Sequence, residues 1–495
     1  MTDERGAAGD GLNSEQREAV NAEPGRHYLV LAGAGCGKTT VLTNRIARRA
    51  ACGVPLSRIL ALTFTRKAAD EMAERVAART REFAASGQPV ITTFHAFALK
   101  ILAERVRGAS NFSRIGFPET PECLDEKQRC ALLARCTTPE ERSMLGIDIL
   151  ALESAIEKLN VFPEWAEKIS SERAGLLLDI EKRFKALKQS EGVWDFSDLI
   201  DGVVTLFERL PEIGAEYRDR YLELLVDEFQ DTNPVQIRLL KLLLGGEHGR
   251  YLFAVGDDDQ AIYGFRGADI RPTLTFAEMF PGARIIKLQT NYRSVPAILD
   301  RANRIFRQKE AAYRKMLVSG RYPQRSGQAP SFHRFETQEQ MADWMLAAAV
   351  RCSAELGVPV NRMAALFRIN QTADWLADYL NKAGTAPDAQ PQLLTVHKSK
   401  GLEFPAVFLC DMEESVFPSY REIKQRRIRT VNDLFGYVLK RRNASIECDW
   451  DEEQRLFYVA VTRAQLRLFF CTVQTKLVYG RKRKFRPSRF LQLVR

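Results

Sequence analysis

The residues best suited to chemistry form one run, Gly33-Ala-Gly-Cys-Gly-Lys-Thr-Thr40. With Ala32 ahead of it, the spelling through Thr39 is a close form of a phosphate-binding loop. Glycines let backbone N–H groups wrap an anion while a helix N-terminus points its positive end at the same place. In such a loop Gly33, Ala34, Gly35 and Gly37 shape the cradle and Lys38 reaches the outer phosphates. Thr39, with Thr40 beside it, offers a hydroxyl to Mg²⁺. The flanks suit this role, since Tyr28 to Ala32 reads as a buried parallel strand and Val41 to Arg49 as a helix. A glycine-rich turn that holds no nucleotide is the alternative.

Acidic partners stand downstream. The apolar stretch Leu222 to Val226 ends in Asp227-Glu228. Asp227 would hold the metal and Glu228 would position and deprotonate a water; a solvated acidic loop is the other reading. After the strand Tyr251 to Val255, Gln260 can sense a γ-phosphate or the attacking water. Tyr263, Phe265 and Arg266 place two aromatics and a cation on one loop, a composition that stacks unpaired bases and grips phosphate. Taken alone they also make an ordinary aromatic turn. Phe64 and Arg66 lie at the end of the strand Ile59 to Thr65, where open α/β sheets bind ligands. Gln16 can read adenine through its amide or be a solvated helix residue. Arg293 and Arg463 can act as arginine fingers, or form surface salt bridges.

These residues need a frame. Strand-to-helix units at 28–49, 59–82 and 90–105 imply a doubly wound parallel sheet. From Val106 to Gly192 strand signals nearly vanish, and helices are expected at 126–135, 150–159 and 174–188. That stretch reads as a helical insertion, with Trp165 and Trp194 as core or hinge residues. The sheet resumes at Leu222. A second α/β unit is expected from near Ala283, with strands at 284–288, 331–335, 363–367, 393–396 and 407–409. Helices fall between them at 295–309 and 338–354.

Bulk properties narrow the class. At 495 residues two to four domains are expected. Hydrophobic content of 45% and charged content of 27% suit a globular chain, and no apolar run approaches the ~20 residues of a membrane span. The net charge of +10 suits a polyanion partner without requiring one. Nine cysteines show no C-x-x-C pair. Cys123, Cys130 and Cys136 lack histidines at zinc spacing, so free thiols in a reducing, cytoplasmic setting are expected. Residues 1–11 read as a disordered leader.

In this order and at these separations the motifs resemble the UvrD/Rep/PcrA family of superfamily 1 DNA helicases, over Leu12 to about Leu491. The resemblance implies two RecA-like α/β lobes with ATP and Mg²⁺ between them. It implies 3′→5′ movement on single-stranded DNA with duplex unwinding, in repair, replication or recombination. By it, Gln16 reads adenine and Tyr292 stacks on it. Lys38, Thr39, Asp227, Glu228, Gln260, Arg293, Glu403 and Arg463 make up the ATP and Mg²⁺ site. Phe64, His95, Tyr263, Phe265, Arg266 and His397 match the single-strand track. Single-stranded DNA and its junctions with duplex are the implied partners, with no membrane and with a monomer in isolation.

The implied domains are a first lobe (1A) at 12–105 and 193–280, a helical insertion (1B) at 106–192, and a second lobe (2A) at 281–382 and 393–495. Three departures from the family stand out. Phe265 replaces a usual Trp, and Arg66 a usual Asn. Only the linker 383–392 occupies the place of the family's large second-lobe insertion (2B), and a linker of that length cannot hold a domain. Its absence is expected to affect duplex grip and processivity more than hydrolysis. The basic stretches 420–443 and 481–486 read as solvated loops or as compensating phosphate contacts.

Overall fold

The computed structural model describes residues 11–106, 108–146, 148–150, 152–153, 155–156, 172–245, 249–264, 268–309, 313–322, 327–419, 450–478 and 481–495. The expectations for the leader, Trp165, Phe265, Arg266 and the stretch 420–443 fall outside those residues, apart from Gly11 at the end of the leader. Among the described residues, no helix is long and apolar enough to cross a membrane.

Six strands build the first sheet: β1 (Tyr28–Ala32), β2 (Ile59–Thr63), β3 (Val90–Thr93), β4 (Glu223–Val226), β5 (Tyr251–Gly256) and β6 (Arg284–Leu288). Their order is β6-β1-β5-β4-β2-β3, and every pairing is parallel. Alternation sorts the side chains of β1. Tyr28, Val30 and Ala32 join one apolar cluster, while Leu29 and Leu31 join the cluster on the opposite face. Burial on both faces explains why these strands read as continuous apolar runs.

The helices of this lobe are α1 (Ser14–Val20), ahead of β1, then α2 (Lys38–Ala51), α3 (Arg66–Arg79), α4 (Phe94–Ala103) and α5 (Phe196–Arg209). Helix α2 starts at Lys38, three residues before its expected start, because Gly37 turns left-handed at φ 87° and Lys38 is already helical. Thr65 caps α3 by accepting the Ala68 N–H at 3.2 Å, and a short 3₁₀ stretch, Arg81–Ser86, replaces the expected last turn.

The described residues between 106 and 192 are mainly helical, with helices Glu126–Arg135, Pro139–Leu145 and Glu172–Glu191. They bury their own cluster around Leu133, Leu145, Leu177, Ile180 and Phe184. Two short strand pairs, absent from the expectation, join this part to its surroundings. Trp194 is buried, and its indole N–H donates to the Pro121 carbonyl at 2.6 Å. Cys123 is exposed whereas Cys136 is buried, and both are free thiols.

The second sheet holds β7 (Ser331–Phe335), β8 (Ala364–Phe367), β9 (Gln392–Thr395), β10 (Phe404–Leu409) and β11 (Ala464–Val473) in the parallel order β7-β11-β10-β8-β9. Around it pack α6 (Pro296–Ile305), α7 (Gln338–Leu356), α8 (Asn370–Lys382) and α9 (Trp450–Val461). Two features correct the sequence reading. The strand Arg284–Leu288, expected to open the second α/β unit, pairs with β1 at the edge of the first sheet. The ten-residue β11, not anticipated, lies between β7 and β10. The basic run Arg481–Lys484 forms one strand of an antiparallel hairpin with Thr475–Val478. Between α8 and β9, the stretch 383–391 holds only a single 3₁₀ turn, Pro387–Ala389.

One buried charge group ties α2 to the first sheet. Arg45 Nε donates to Glu223 Oε1 at 2.8 Å and Arg49 Nε to Glu223 Oε2 at 2.9 Å, while the Tyr251 hydroxyl also donates to Glu223. Arg45 and Glu223 are buried to 1% and 0% exposure. Removing one member of such a pair leaves a charge without water or partner. Glu223→Ala is expected to destabilise the first lobe by about 3–5 kcal/mol, seen as an earlier denaturant transition. The double variant Arg45→Met/Glu223→Leu is expected to recover most of that loss.

Candidate nucleotide and nucleic-acid site

The loop after β1 is held open by groups from distant parts of the chain. Gly33 N–H donates to the Leu288 carbonyl at 3.1 Å, and Tyr292 N–H donates to the Gly35 carbonyl at 3.0 Å. Asn291, fully buried, donates its side-chain amide to the Ala34 carbonyl and accepts the N–H groups of Arg293 and Ser294 at 2.8 Å each. Gly35 turns left-handed at φ +67°, and a Cβ there would stand 2.7 Å from Arg293 Cβ. The segment 291–294 is thus keyed into the loop.

Gln16 is buried, and its amide is engaged at both ends. Oε1 accepts the Asn13 N–H at 3.2 Å, closing a capping box on α1, and Nε2 donates to the Cys36 carbonyl at 3.0 Å. The expected two-bond reading of adenine therefore competes with bonds already made in this structure. Asn13 Nδ2 donates to the Tyr292 hydroxyl at 2.8 Å, which brings Tyr292 beside α1. Thr39 and Thr40 sit half-buried in the first turn of α2.

Lys38 and Glu228 meet directly, Nζ to Oε2 at 2.8 Å. Glu228 takes a left-handed φ of 50°, costly for a residue with a Cβ, directly after Asp227 at the end of β4. Burial works to raise the Glu228 carboxyl, but Lys38 and then Lys400 outweigh it and hold it down at about 2. Asp227 goes the other way. Burial, with Glu228 adding to it, pushes its carboxyl up to about 7. The two neighbours are thereby separated in character.

Across the cleft, Arg463 lies just beyond α9, buried to 1% exposure. Its Nε donates to the Val459 carbonyl and its Nη1 to the Leu402 carbonyl, both at 3.0 Å. Its Nη2 donates to Gln260 Oε1 at 3.1 Å, joining the second lobe to the turn after β5. Burial, with Arg293 nearby, lowers the Arg463 guanidinium to about 9, so it stays charged at neutral pH. Arg293 Nε pairs with Glu403 Oε2 at 2.6 Å, and Nη1 donates to the Thr462 carbonyl at 3.1 Å. Glu403 is exposed and also accepts from Gln465 Nε2 at 2.8 Å.

The residues expected to meet bases fall into separate groups. Phe64 and Tyr263 stack with centroids 5.5 Å apart and planes 12° off parallel. His95 instead meets Phe196 edge-on at 6.2 Å, and Phe196 is 63% exposed. His397 is half-buried on the 3₁₀ turn His397–Ser399. Arg66 is exposed on the first turn of α3.

The sequence reading missed Lys400, which links the two kinds of site. Its Nζ donates to Asp231 Oδ2 at 2.6 Å and to the Gln260 carbonyl at 2.9 Å, and lies 4.5 Å from the Tyr263 ring centroid. The residue lies between His397 and Glu403, but its partners lie well over a hundred residues earlier. Asn291 and Phe196 were missed for the same reason.

The geometry at Gly37 generates a direct test. A Cβ there would lie 2.6 Å from Gln16 Nε2, at φ +87°. Gly37→Ala is expected to cost about 1–2 kcal/mol in backbone strain, with a further steric part from Gln16. Adding Gln16→Ala should relieve the steric part and leave the strain, as read by denaturation midpoints.

Comparisons with known proteins give this arrangement its lineage. Residues 12–281 match the family model "UvrD/REP helicase N-terminal domain". Residues 286–387 and 386–475 match "UvrD-like helicase C-terminal domain" in two stretches. A protein of Mycoplasma pneumoniae named "Probable DNA helicase" is 32% identical over 98% of this chain and 87% of its own length. "ATP-dependent DNA helicase PcrA" of Leuconostoc citreum is 33% identical over 76% of this chain and 49% of its own length. "ATP-dependent DNA helicase UvrD2" of Mycobacterium bovis is 34% identical over 76% and 54%. The chain thus spans about half the length of those two relatives. Two parallel-sheet lobes meeting at a phosphate loop, and these matches along nearly the whole chain, make it a member of the UvrD/Rep helicase family.

Proposed function

We propose that this chain is an ATP-driven DNA motor that moves 3′→5′ along single-stranded DNA and separates duplex, in repair, replication or recombination. The relatives named as ATP-dependent DNA helicases support this reading. The observation that carries it is the joint between lobes. Arg463 reaches Gln260 at 3.1 Å, and the Arg293 segment is packed into the phosphate loop. A nucleotide held there would be touched by both lobes at once.

The residues fit that ligand. Loop amides and Lys38 would bind phosphate, while Thr39 and Asp227 would hold the divalent ion; Asp227 is a buried carboxylate that accepts the Glu228 N–H at 2.9 Å. ATP with Mg²⁺ supplies a phosphoanhydride whose cleavage releases the free energy for movement. Glu228, kept ionised, takes the proton of the attacking water, and Gln260 orients that water. Arg463 and Arg293 stabilise charge gathering on the transferred group. Glu403 and Gln465 hold Arg293 in place, while Tyr292 and Gln16 border the base side. Phe64, Tyr263, His95, His397 and Arg66 would contact the strand; Phe265 and Arg266, which the resemblance adds to this set, lie outside the described residues. Lys400, touching Asp231 and the Tyr263 ring, connects the two sets.

A second reading is a translocase that strips proteins with little unwinding of its own. It is favoured by the short connection between α8 and β9, where the two stretches of the C-terminal family match meet at 386–387. A non-motor scaffold with a vestigial site is the third reading, and intact Lys38, Glu228 and Arg463 speak against it.

Single-turnover unwinding of a 3′-tailed duplex beside a 5′-tailed one is the test. Unwinding of the 3′-tailed substrate alone is expected; a preference for the 5′ tail would overturn the polarity. Translocation without strand separation would select the second reading, and absence of DNA-stimulated hydrolysis would end the motor reading. Glu228→Gln is expected to lower kcat by about 10²–10⁴-fold with single-strand affinity retained. Arg463→Ala and Arg293→Ala are each expected to lower kcat by about 10³-fold, with much smaller changes in ATP binding.

A further inference from the structure

Beyond the residues already placed at the nucleotide, one buried charge cluster calls for a role. β5 is followed by Asp257-Asp258-Asp259, exposed to only 0%, 1% and 3%. The three carboxylates lie close enough to hold a cation, but the space between them is taken by lysines. Lys315 Nζ lies 3.0 Å from Asp257 Oδ1 and 2.9 Å from Asp259 Oδ2, and also pairs with Asp258. Lys309 pairs with Asp258 and Asp259. Both lysines come from the stretch after α6, a helix that packs on α9 and β11.

Asp257 is the member with outward connections. Its Oδ2 accepts from Gln260 Nε2, and Gln260 Oε1 in turn accepts from Arg463. Its N–H donates to Gln230 Oε1 at 2.9 Å, and Gln230 Nε2 donates to Glu228. Asp257 therefore stands at a branch, with the Glu228 arm on one side and the Gln260–Arg463 arm on the other. Lys315 touches neither Gln260 nor Arg463, yet it anchors the carboxylate that orients them.

We infer that Lys315 is a positioning residue for hydrolysis. It holds Asp257 so that Gln260 presents its amide correctly to Arg463, and so ties that geometry to the segment following α6. This rests on the ATP-driven reading above. Because Lys315 acts through Gln260, the two should not be independent: losses from residues working as one unit do not multiply.

The test is a double-mutant cycle on the full chain, reading DNA-stimulated kcat and KM for ATP. Lys315→Met is expected to lower kcat about tenfold or more, with KM for ATP and single-strand affinity within about threefold. In a Gln260→Ala background the same change should lower kcat little further. Since the single variant leaves carboxylates uncompensated, Lys315→Met/Asp258→Asn is measured beside it, and Lys315→Arg is expected to restore part of kcat. Losses that multiply across the cycle, an unchanged kcat, or failure of both methionine variants to fold would each overturn the inference. A wild type that hydrolyses ATP without any response to DNA would instead overturn the motor reading.

Discussion

Three carboxylates side by side, buried just after β5, cannot persist without cations, and among the described residues those that pair with them, Lys309 and Lys315, come from outside the first sheet's own strands. That constraint shapes the joint between the lobes. Isolated charges in a protein interior repel and lose their hydration, so the Asp257–Asp259 turn is stable only while Lys309 and Lys315 are docked. Arg455 adds a bond of the same sense, its Nε donating to the Ala261 carbonyl at 2.8 Å. The turn that carries Gln260 is thereby clasped from the far side.

Such a joint differs from an apolar one. One apolar cluster does run from the first lobe to the second, through residues such as Val30, Leu299, Val407 and Phe470. Apolar contact is non-directional and tolerates sliding. Ion pairs and bidentate amides have narrow geometries and discrete partners. A cleft closed by Arg463 on Gln260 and Lys400 on Asp231 is therefore suited to distinct open and closed arrangements. Lys400 extends this to the aromatic pair Phe64–Tyr263, since its ammonium lies 4.5 Å from the Tyr263 ring centroid.

In the second lobe a short connection stands where the resemblance would put a large insertion. Helix α8 ends at Lys382, and β9 begins at Gln392. The connecting turn returns the chain to the sheet with α8 packed against β8 and β9.

Much of this was legible in the residues themselves. Gly33 to Thr40, Asp227-Glu228 and the strands around them announce their local structure, because glycine freedom, strand burial and helix starts depend on near neighbours. Lys38 meeting Glu228 depends on more than that, because they follow β1 and β4, two parallel strands that lie on either side of β5 in the sheet. What the residues left open was pairing across long separations. The strand Arg284–Leu288 joins the sheet of β1 and not the one that follows it, since a free sheet edge and not chain order decides where a strand docks. Lys315 beside Asp257, Lys400 beside Asp231 and Asn291 beside Ala34 are likewise contacts between distant segments. Residue types and spacing settled which chemistry the chain carries; only the folded arrangement decided which cation faces which carboxylate, because burial removes the water that would otherwise let any charge stand alone.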